Sequence, residues 1–133
     1  MIVEVVAVGT ELLIGQIINS NAAAIGRRLA EEGFDAHFQV TVGDNLSRLS
    51  FTLRQAHQRA DAVVITGGIG PTQDDLTRQA LCNLADRPMI RDREHAAWIE
   101  DRIRSSRGTV SENVLRMADL PEGAEGLVNA NGV

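Results

Sequence analysis

The chain has 133 residues, enough for one domain of ordinary size, and its 44% hydrophobic and 23% charged residues are typical of a soluble globular fold. The net charge is −5, from 13 basic and 18 acidic side chains, and the basic ones are scattered, which argues against binding to nucleic acid or anionic membranes. No apolar run could span a bilayer, and the first residues lack the basic flank of a signal peptide, so a cytoplasmic location is expected.

Three successive strand-then-helix units are predicted in the first two thirds of the chain. A β-branched run over 2–8, an alternating run over 34–42 and a short apolar run over 62–65 read as strands. Each is followed by a segment with helical spacing of apolar residues, the first of them over 19–32. This order predicts an α/β fold in which helices cover both faces of a mostly parallel sheet, giving three layers, α/β/α.

The last third of the chain gives weaker signals. A short extended piece is predicted at 87–90, a charged amphipathic helix over 92–105, a helix from about Ser111, and a final strand over 125–128. The last five residues read as the approach to another loop. We therefore expect a single domain, residues 1–133, that is truncated at its C-terminal end.

The most informative stretch of the sequence is TGGIGPTQDDLT, residues 66–77, which follows an apolar strand and opens a helix. Its three glycines can adopt positive φ and bring backbone amides close to a phosphate, and the helix that follows adds its positive dipole end. Asp74 and Asp75 would repel a bare phosphate, so a divalent cation or a polar ring held by one aspartate is predicted with it. The alternative is a tight turn with Thr72 as the helix N-cap.

Ligands of parallel α/β sheets bind outside the carboxyl ends of the strands, where polar, glycine-bearing loops follow all three strands here. These loops are expected to converge on a phosphorylated ligand and a cation such as Mg²⁺, Mn²⁺ or Co²⁺. The candidate oxygen ligands and bases are Glu11, Asp44, Asp74 and Asp75, and the candidate hydroxyl partners are Thr10, Thr72 and Thr77. The candidate ligand contacts in the loops are Gly67, Gly68, Gly70, Pro71 and Asn19, the last of which could equally cap the first helix.

Several other classes of site are disfavoured. The three histidines, His37, His57 and His95, have no metal-ligand spacing, so a zinc site is not expected. Cys82, the sole cysteine, lies in an apolar context and is predicted to be a small buried residue. The sequence also lacks the nucleophile elbow, Walker A and dinucleotide-binding fingerprints.

Four segments in their order along the chain carry a resemblance to a known family. They are residues 8–22 (VGTELLIGQIINSNA), 42–45 (VGDN), 66–77 and 120–124 (LPEGA). Over nearly its whole length, the chain resembles the molybdopterin-binding-like domain of the competence- and damage-inducible CinA family. The resemblance implies that Asp75 and Thr77 match the residues after the phosphate-binding glycine loop of molybdenum-cofactor proteins, and that Asp44 matches their second acidic position.

For function, the resemblance implies metal-dependent hydrolysis of a nucleotide diphosphate such as ADP-ribose, with the cation held by Asp75 and assisted by Asp74 or Asp44. Either Asp44 or Glu11 could act as general base, and the sequence does not choose between them. The alternative is a non-catalytic module that binds molybdopterin, although Asp74 stands where molybdopterin-binding relatives commonly have a basic residue. Relatives self-associate, so the resemblance also implies a homo-oligomer.

Overall fold

The computed structural model describes residues 1–106, 108–127 and 129, and in these residues each of the first four strands is followed by one or two helices. The strands are β1 (Ile2–Val8), β2 (Asp35–Val42), β3 (Ala62–Thr66), β4 (Met89–Arg91) and β5 (Asp119–Pro121). The helices are α1 (Thr10–Leu13), α2 (Ser20–Glu31), α3 (Leu46–Arg59), α4 (Thr77–Ala85), α5 (Arg93–Ser105) and α6 (Glu112–Leu115), the last continued by a 3₁₀ turn at Arg116–Ala118.

Within the described residues, β1 is the middle strand of a parallel sheet in the order β2-β1-β3. It pairs with β2 from Ile2 opposite Asp35 to Val8 opposite Val42, and its other edge pairs with β3. A middle strand is covered on both faces, which explains why Val3 to Val8 are all buried and why the run is nearly continuous in apolar residues. The predicted mixed fold with a parallel sheet is confirmed.

The main core lies between this sheet and the two helices α3 and α4. Val6 and Val8 of β1 pack with Leu49, Leu53 and Ala56 of α3 and with Ala80 of α4. The alternate residues of β1 point to the other face of the sheet, and α2 contacts both β1 and β2. The carboxyl ends of the three parallel strands consequently open onto one edge of the domain.

A smaller core forms where α5 packs on the 3₁₀ turn. Ala96, Ile99 and Ala118 are buried there, as the amphipathic pattern of α5 predicts. The strand predicted over 125–128 is wrong for its described residues, since 125–127 are irregular and Val128 lies outside the described residues. The strand that forms instead is β5, whose short, proline-ending sequence gives no alternating signal and which pairs antiparallel with β4.

Side chains cap four of the helices at their N-termini. Asn19, Asn45, Asp92 and Ser111 each accept a hydrogen bond from the backbone amide three residues later, at the starts of α2, α3, α5 and α6. Each cap satisfies one of the amides that a helix N-terminus leaves without a partner. The capping role considered for Asn19 and the helix start predicted at Ser111 are therefore confirmed.

One charged side chain lies inside the sheet. Glu4 of β1 is fully buried, and both of its carboxylate oxygens accept hydrogen bonds of 2.7 Å from the guanidinium of Arg59. That guanidinium also stacks 3.9 Å above the ring of Phe38. A buried carboxylate is tolerated because it is paired and fully hydrogen-bonded.

Two sequence predictions about burial and membranes can be compared with the structure. Cys82 is 4% exposed and its pKa is raised because burial disfavours the thiolate, which confirms the predicted buried role. Among the described residues, no helix combines the length and the apolar character that crossing a membrane would require.

Candidate functional site

The glycine loop, residues 67–76 between β3 and α4, is closed by the side chain of Asp75. Its Oδ1 accepts from the amide of Gly70 at 2.8 Å, and its Oδ2 accepts from the amide and the hydroxyl of Thr72 at 2.7 and 2.6 Å. Burial opposes the charged carboxylate, but these hydrogen bonds and the nearby Arg78 outweigh it and lower the pKa of Asp75. The ionised aspartate thus holds the loop closed through hydrogen bonds to the loop's own backbone and to Thr72.

The helix after the loop begins later than the turn alternative requires. α4 starts at Thr77, with Leu76 at the N-cap and no side-chain cap bond. Thr72 is therefore not the helix N-cap, and its hydroxyl donates to Asp75 instead. Asp75 lies before the helix, where its hydrogen bonds to the loop, more than the helix dipole, account for its position.

Two glycines at the start of the loop are required by the backbone geometry. Gly67 has φ +92° and Gly68 has φ +64°, and a Cβ on Gly67 would overlap the carbonyl oxygen of Val8. Thr77 holds this part of the loop, because its hydroxyl donates to the Gly67 carbonyl at 2.8 Å and its amide donates to the Gly68 carbonyl at 3.0 Å. The positive φ expected of the loop glycines is therefore found at Gly67 and Gly68 but not at Gly70.

Arg78 holds the next two carbonyls of the loop, and the sequence analysis missed it. The side chain is 8% exposed, and its guanidinium donates to the carbonyl oxygens of Ile69 and Gly70. Burial lowers the pKa of Arg78, while the charges of Asp75 and Asp119 act in the opposite direction. An arginine near a helix start reads as a solvated residue in a sequence, so only its place directly after the loop could have signalled this role.

Some backbone amides of the glycine loop donate hydrogen bonds to protein acceptors, and others do not. The amides of Gly70 and Thr72 are bonded to Asp75, so Gly70 does not offer its amide to a phosphate in this conformation. Within the part of the chain that the structure describes, the amides of Gly68 and Ile69 donate to no protein acceptor. These two amides lie in the glycine-rich first half of the loop and are available to an anion, and the amides of Gln73, Asp74 and Leu76 in its second half likewise donate to no acceptor among the described residues.

A cleft of about 170 Å³ lies beside the loop at the carboxyl ends of β1 and β3. Its polar lining is Glu11, Asn19, Ser20, Asn21, Thr66 and Gly67, and its apolar lining includes Ile17 and Ile18. Asn21 donates to the hydroxyl of Thr66 at 3.2 Å, and Asn19 to the hydroxyl of Thr41 at 3.5 Å. Amide and hydroxyl groups above an apolar rim suit the polar edge of a heterocycle.

Thr10 and Asp44 form a pair on the neighbouring loops. The amide of Thr10 donates to Oδ2 of Asp44 at 2.8 Å, and the amide of Asp44 donates to the hydroxyl of Thr10 at 3.0 Å. This reciprocal arrangement ties the loop after β1 to the loop after β2. Asp44 thus holds the start of α1, a short helix that the sequence did not predict.

The predicted acids are distributed over the edge instead of converging. Glu11 lines the cleft, Asp44 bonds to Thr10, Asp75 closes the loop, and Asp74 is exposed on its surface. Nowhere in 1–106, 108–127 and 129 do three or more His, Cys, Asp or Glu side chains group as metal ligands. These residues do not fit a metal cage made by the protein alone. They fit only the pattern in which one or two carboxylates assist a cation carried by phosphates.

A parallel sheet covered by helices, with a glycine loop at its carboxyl edge, defines an α/β domain with a candidate ligand site at that edge. The chain belongs to the family described as "Probable molybdopterin binding domain", whose model matches residues 4–129. The resemblance to CinA proteins is likewise confirmed by the relatives and the solved structure that follow.

Relatives of this chain include two "Putative competence-damage inducible" proteins. One, from Halothermothrix orenii, is 42% identical over 99% of this chain, and one from Bacillus subtilis is 41% identical over 98% of it. The chain spans only 32% and 31% of the lengths of these curated relatives.

Solved structures show the same fold. "The protein CinA with unknown function" from Thermoplasma acidophilum has a TM-score of 0.89 and 30% identity, with 99% of this chain and 77% of that chain covered. The "tungsten cofactor synthesizing protein MoaB" from Pyrococcus furiosus has a TM-score of 0.60 and 21% identity, over 80% of this chain and 64% of that one. The second likeness concerns the fold alone.

Proposed function

We propose that this domain binds a phosphorylated heterocyclic ligand, a nucleotide diphosphate of the ADP-ribose kind, and hydrolyses its pyrophosphate link. The single observation that carries the proposal is that Gly68 and Ile69, whose amides have no protein acceptor among the described residues, directly follow Gly67, which lines the cleft with Asn19 and Asn21. The amides would receive a phosphate, while Asn19 and Asn21 would face the heterocycle. Pro71, Thr72 and Thr77 would act by shaping the loop.

The acids beside this edge are proposed to supply the chemistry. Glu11 lines the cleft and is our candidate for the general base that takes a proton from the attacking water, with Asp44 as the second candidate. Water would attack phosphorus, the P–O bond of the diphosphate bridge would break, and AMP and ribose 5-phosphate would leave. Thr10 would position Asp44 through their reciprocal hydrogen bonds.

A divalent cation belongs to the proposal as a companion of the ligand's phosphates. Mg²⁺ in such sites commonly uses one or two carboxylates and the substrate's own oxygens. Asp74 is the exposed candidate for this contact, and Asp75 has both oxygens already engaged in its loop. When bound, the cation would neutralise phosphate charge.

The proposal is tested by incubating this chain with ADP-ribose and Mg²⁺, Mn²⁺ or Co²⁺ and detecting AMP by chromatography. Glu11→Gln and Asp74→Asn remove one candidate acid each, and Asp101→Asn on the exposed side of α5 is the matched control. We expect AMP from the parent and the control, and about 10²-fold or more loss of rate in Glu11→Gln, because a general base commonly contributes that much.

The outcomes separate the parts of the proposal. Full activity of Glu11→Gln would transfer the base role to Asp44, and full activity of Asp74→Asn would remove the cation contact. Absence of AMP from every protein with every cation would contradict hydrolysis altogether.

A non-catalytic pterin-binding module is the second candidate function. It is supported by the family that the chain belongs to and by the acids, which do not group as a metal site among the described residues. A fluorescent pterin that co-purifies with the protein, together with no AMP in the assay above, would favour it. Self-association rests on the resemblance, and sedimentation of the purified chain tests it.

A further inference from the structure

Four consecutive carbonyl groups of the glycine loop are held by the first two residues of α4. Thr77 holds the carbonyls of Gly67 and Gly68, and Arg78 holds those of Ile69 and Gly70. In a trans peptide group the carbonyl and the next N–H point in opposite directions. The amides of Gly68 and Ile69 therefore point away from α4.

Arg78 bonds to the Ile69–Gly70 peptide group, whose carbonyl and amide are both hydrogen-bonded to charged side chains. The carbonyl of Ile69 accepts from the guanidinium of Arg78, and the amide of Gly70, in the same peptide group, donates to the carboxylate of Asp75. A cation on one side and an anion on the other fix the plane of this group, and charge-assisted hydrogen bonds are stronger than neutral ones. The Ile69 amide belongs to the preceding group, whose carbonyl accepts from Thr77, and the two groups are linked through φ and ψ of Ile69, so that fixing one limits the other.

The surroundings of Arg78 include a carboxylate on a neighbouring element. Burial lowers the pKa of Arg78, and the charge of Asp119 on β5 acts in the opposite direction, while Asp119 itself accepts a 2.6 Å hydrogen bond from Nε of Arg91 on β4. Arg78 is also nearly inaccessible to solvent. Both hydrogen bonds of its guanidinium go to backbone carbonyls, so Arg78 is well placed to fix the backbone of the loop.

We propose that Arg78 is a positioning residue, which fixes the Ile69–Gly70 peptide group and thereby, together with Thr77, keeps the amides of Gly68 and Ile69 turned outward for the ligand's phosphate. The ligand part of this inference rests on the proposed function. The orientation part concerns the free protein and can be tested without any ligand.

The first arm of the test is amide hydrogen exchange of the ligand-free protein, followed by NMR. The variants are Arg78→Met, which removes the charge, and Arg78→Lys, which keeps it but loses the planar fork. Arg28→Met on the exposed face of α2 is the control. We expect exchange at Gly70 and Thr77 to become tenfold or more faster in Arg78→Met and less so in Arg78→Lys, with β1 amides such as that of Val5 changed far less.

This arm can overturn the proposal by itself. Exchange at Gly70 and Thr77 that does not change, or that accelerates only as much as at Val5, would mean that Arg78 does not specifically order the loop. If Arg78→Met fails to fold, the same comparison in Arg78→Lys decides.

The second arm measures the Kd of ADP-ribose by calorimetry for the same proteins. We expect at least tenfold weaker binding in Arg78→Met, partial recovery in Arg78→Lys, and no change in Arg28→Met. Unchanged affinity in Arg78→Met, alongside a loosened loop, would overturn the positioning role. If the parent protein binds no ADP-ribose, the proposed function fails, while the exchange experiment still decides whether Arg78 orders the loop.

Discussion

Two loops leave the same edge of the sheet, and they are built in opposite ways. The glycine loop after β3 uses Asp75, Thr77 and Arg78 to bond its own backbone groups. The β1 segment, residues 9–18, contains the short α1 and leaves large apolar side chains in solvent, among them Ile14 at 62% and Ile18 at 91% exposure. The first loop is organised by charge and hydrogen bonds, and the second presents an uncovered apolar surface.

The contrast shows which loop can be expected to hold its shape. A loop whose polar atoms are bonded within itself has one favoured conformation, whereas exposed apolar residues gain nothing from their position in the isolated chain. Substitutions should therefore disturb the glycine loop strongly and the β1 segment weakly, in a graded series.

The largest effect is expected for Gly67→Ala. Its φ of +92° disfavours any L side chain, and the added Cβ would overlap the carbonyl oxygen of Val8. We expect the free energy of unfolding to fall by about 3 kcal/mol, measured by urea denaturation. Gly15→Ala in the β1 segment is the matched control, because φ is +75° there but nothing lies within 4 Å, and about 1 kcal/mol is expected. Equal losses at the two sites would contradict the contrast.

Asp75→Ala should have the next largest effect. It leaves the amides of Gly70 and Thr72 and one hydroxyl without their acceptor, and hydrogen bonds to charged groups each contribute about 1.5–3 kcal/mol. We expect a total loss of about 2–3 kcal/mol, since solvent can replace part of the bonding in this half-exposed loop. Asp74→Ala next to it should change stability by about 0.5 kcal/mol or less. A similar loss of unfolding free energy for both aspartates would show that the hydrogen bonds of Asp75 do not stabilise the loop.

The free energy of unfolding should depend on pH through the ionisation of the Asp75 carboxylate. The pKa of Asp75 is lower in the folded protein than its usual value, against the effect of burial, because Thr72, Gly70 and Arg78 favour the anion. Its contribution is therefore fully present above the unfolded pKa of about 3.9 and is lost as the pH falls through the lower folded pKa. The difference in unfolding free energy between the parent and Asp75→Asn should stay constant from pH 7 to 5 and shrink below about pH 4. A difference that persists at pH 2 would argue against this assignment.

The smallest effect is expected for Ile18→Ser in the β1 segment. A side chain that is 91% exposed loses almost no buried area, so stability should change by about 0.5 kcal/mol or less. Urea denaturation at two protein concentrations measures it. A loss above about 1 kcal/mol that grows with concentration would mean that a second copy of the chain covers this residue.

The sequence predicts the main sheet and most helices well, because their signals are periodic. The apolar run of β1 and the stripe of Leu49, Leu53 and Ala56 each mark a buried face. β5 escapes prediction because three residues ending in proline carry no period, and its pairing with β4 depends on a partner distant in sequence.

The sequence predicts the glycine loop at the carboxyl edge of the sheet, but it predicts few of the hydrogen bonds within that loop. The glycine pattern indicates the loop, but the partners of a side chain depend on where the chain folds back. Asp75 is therefore predicted as a metal ligand, while the structure shows both of its oxygens bonded to its own loop, and Arg78 is not singled out by the sequence although it is buried. The glycine pattern can be read from neighbouring residues, whereas the hydrogen-bond partners of a side chain depend on the tertiary fold.

The internal bonding of the glycine loop has a consequence for the thermodynamics of ligand capture. Fixing the backbone of a flexible residue costs about 1–2 kcal/mol of conformational entropy, so a loop of ten residues that became ordered only on binding would weaken affinity severely. Here that ordering occurs as the domain folds, since Asp75 and Thr77 already hold the backbone. We therefore expect association to show a small entropic penalty and little change in heat capacity beyond that of the buried ligand surface.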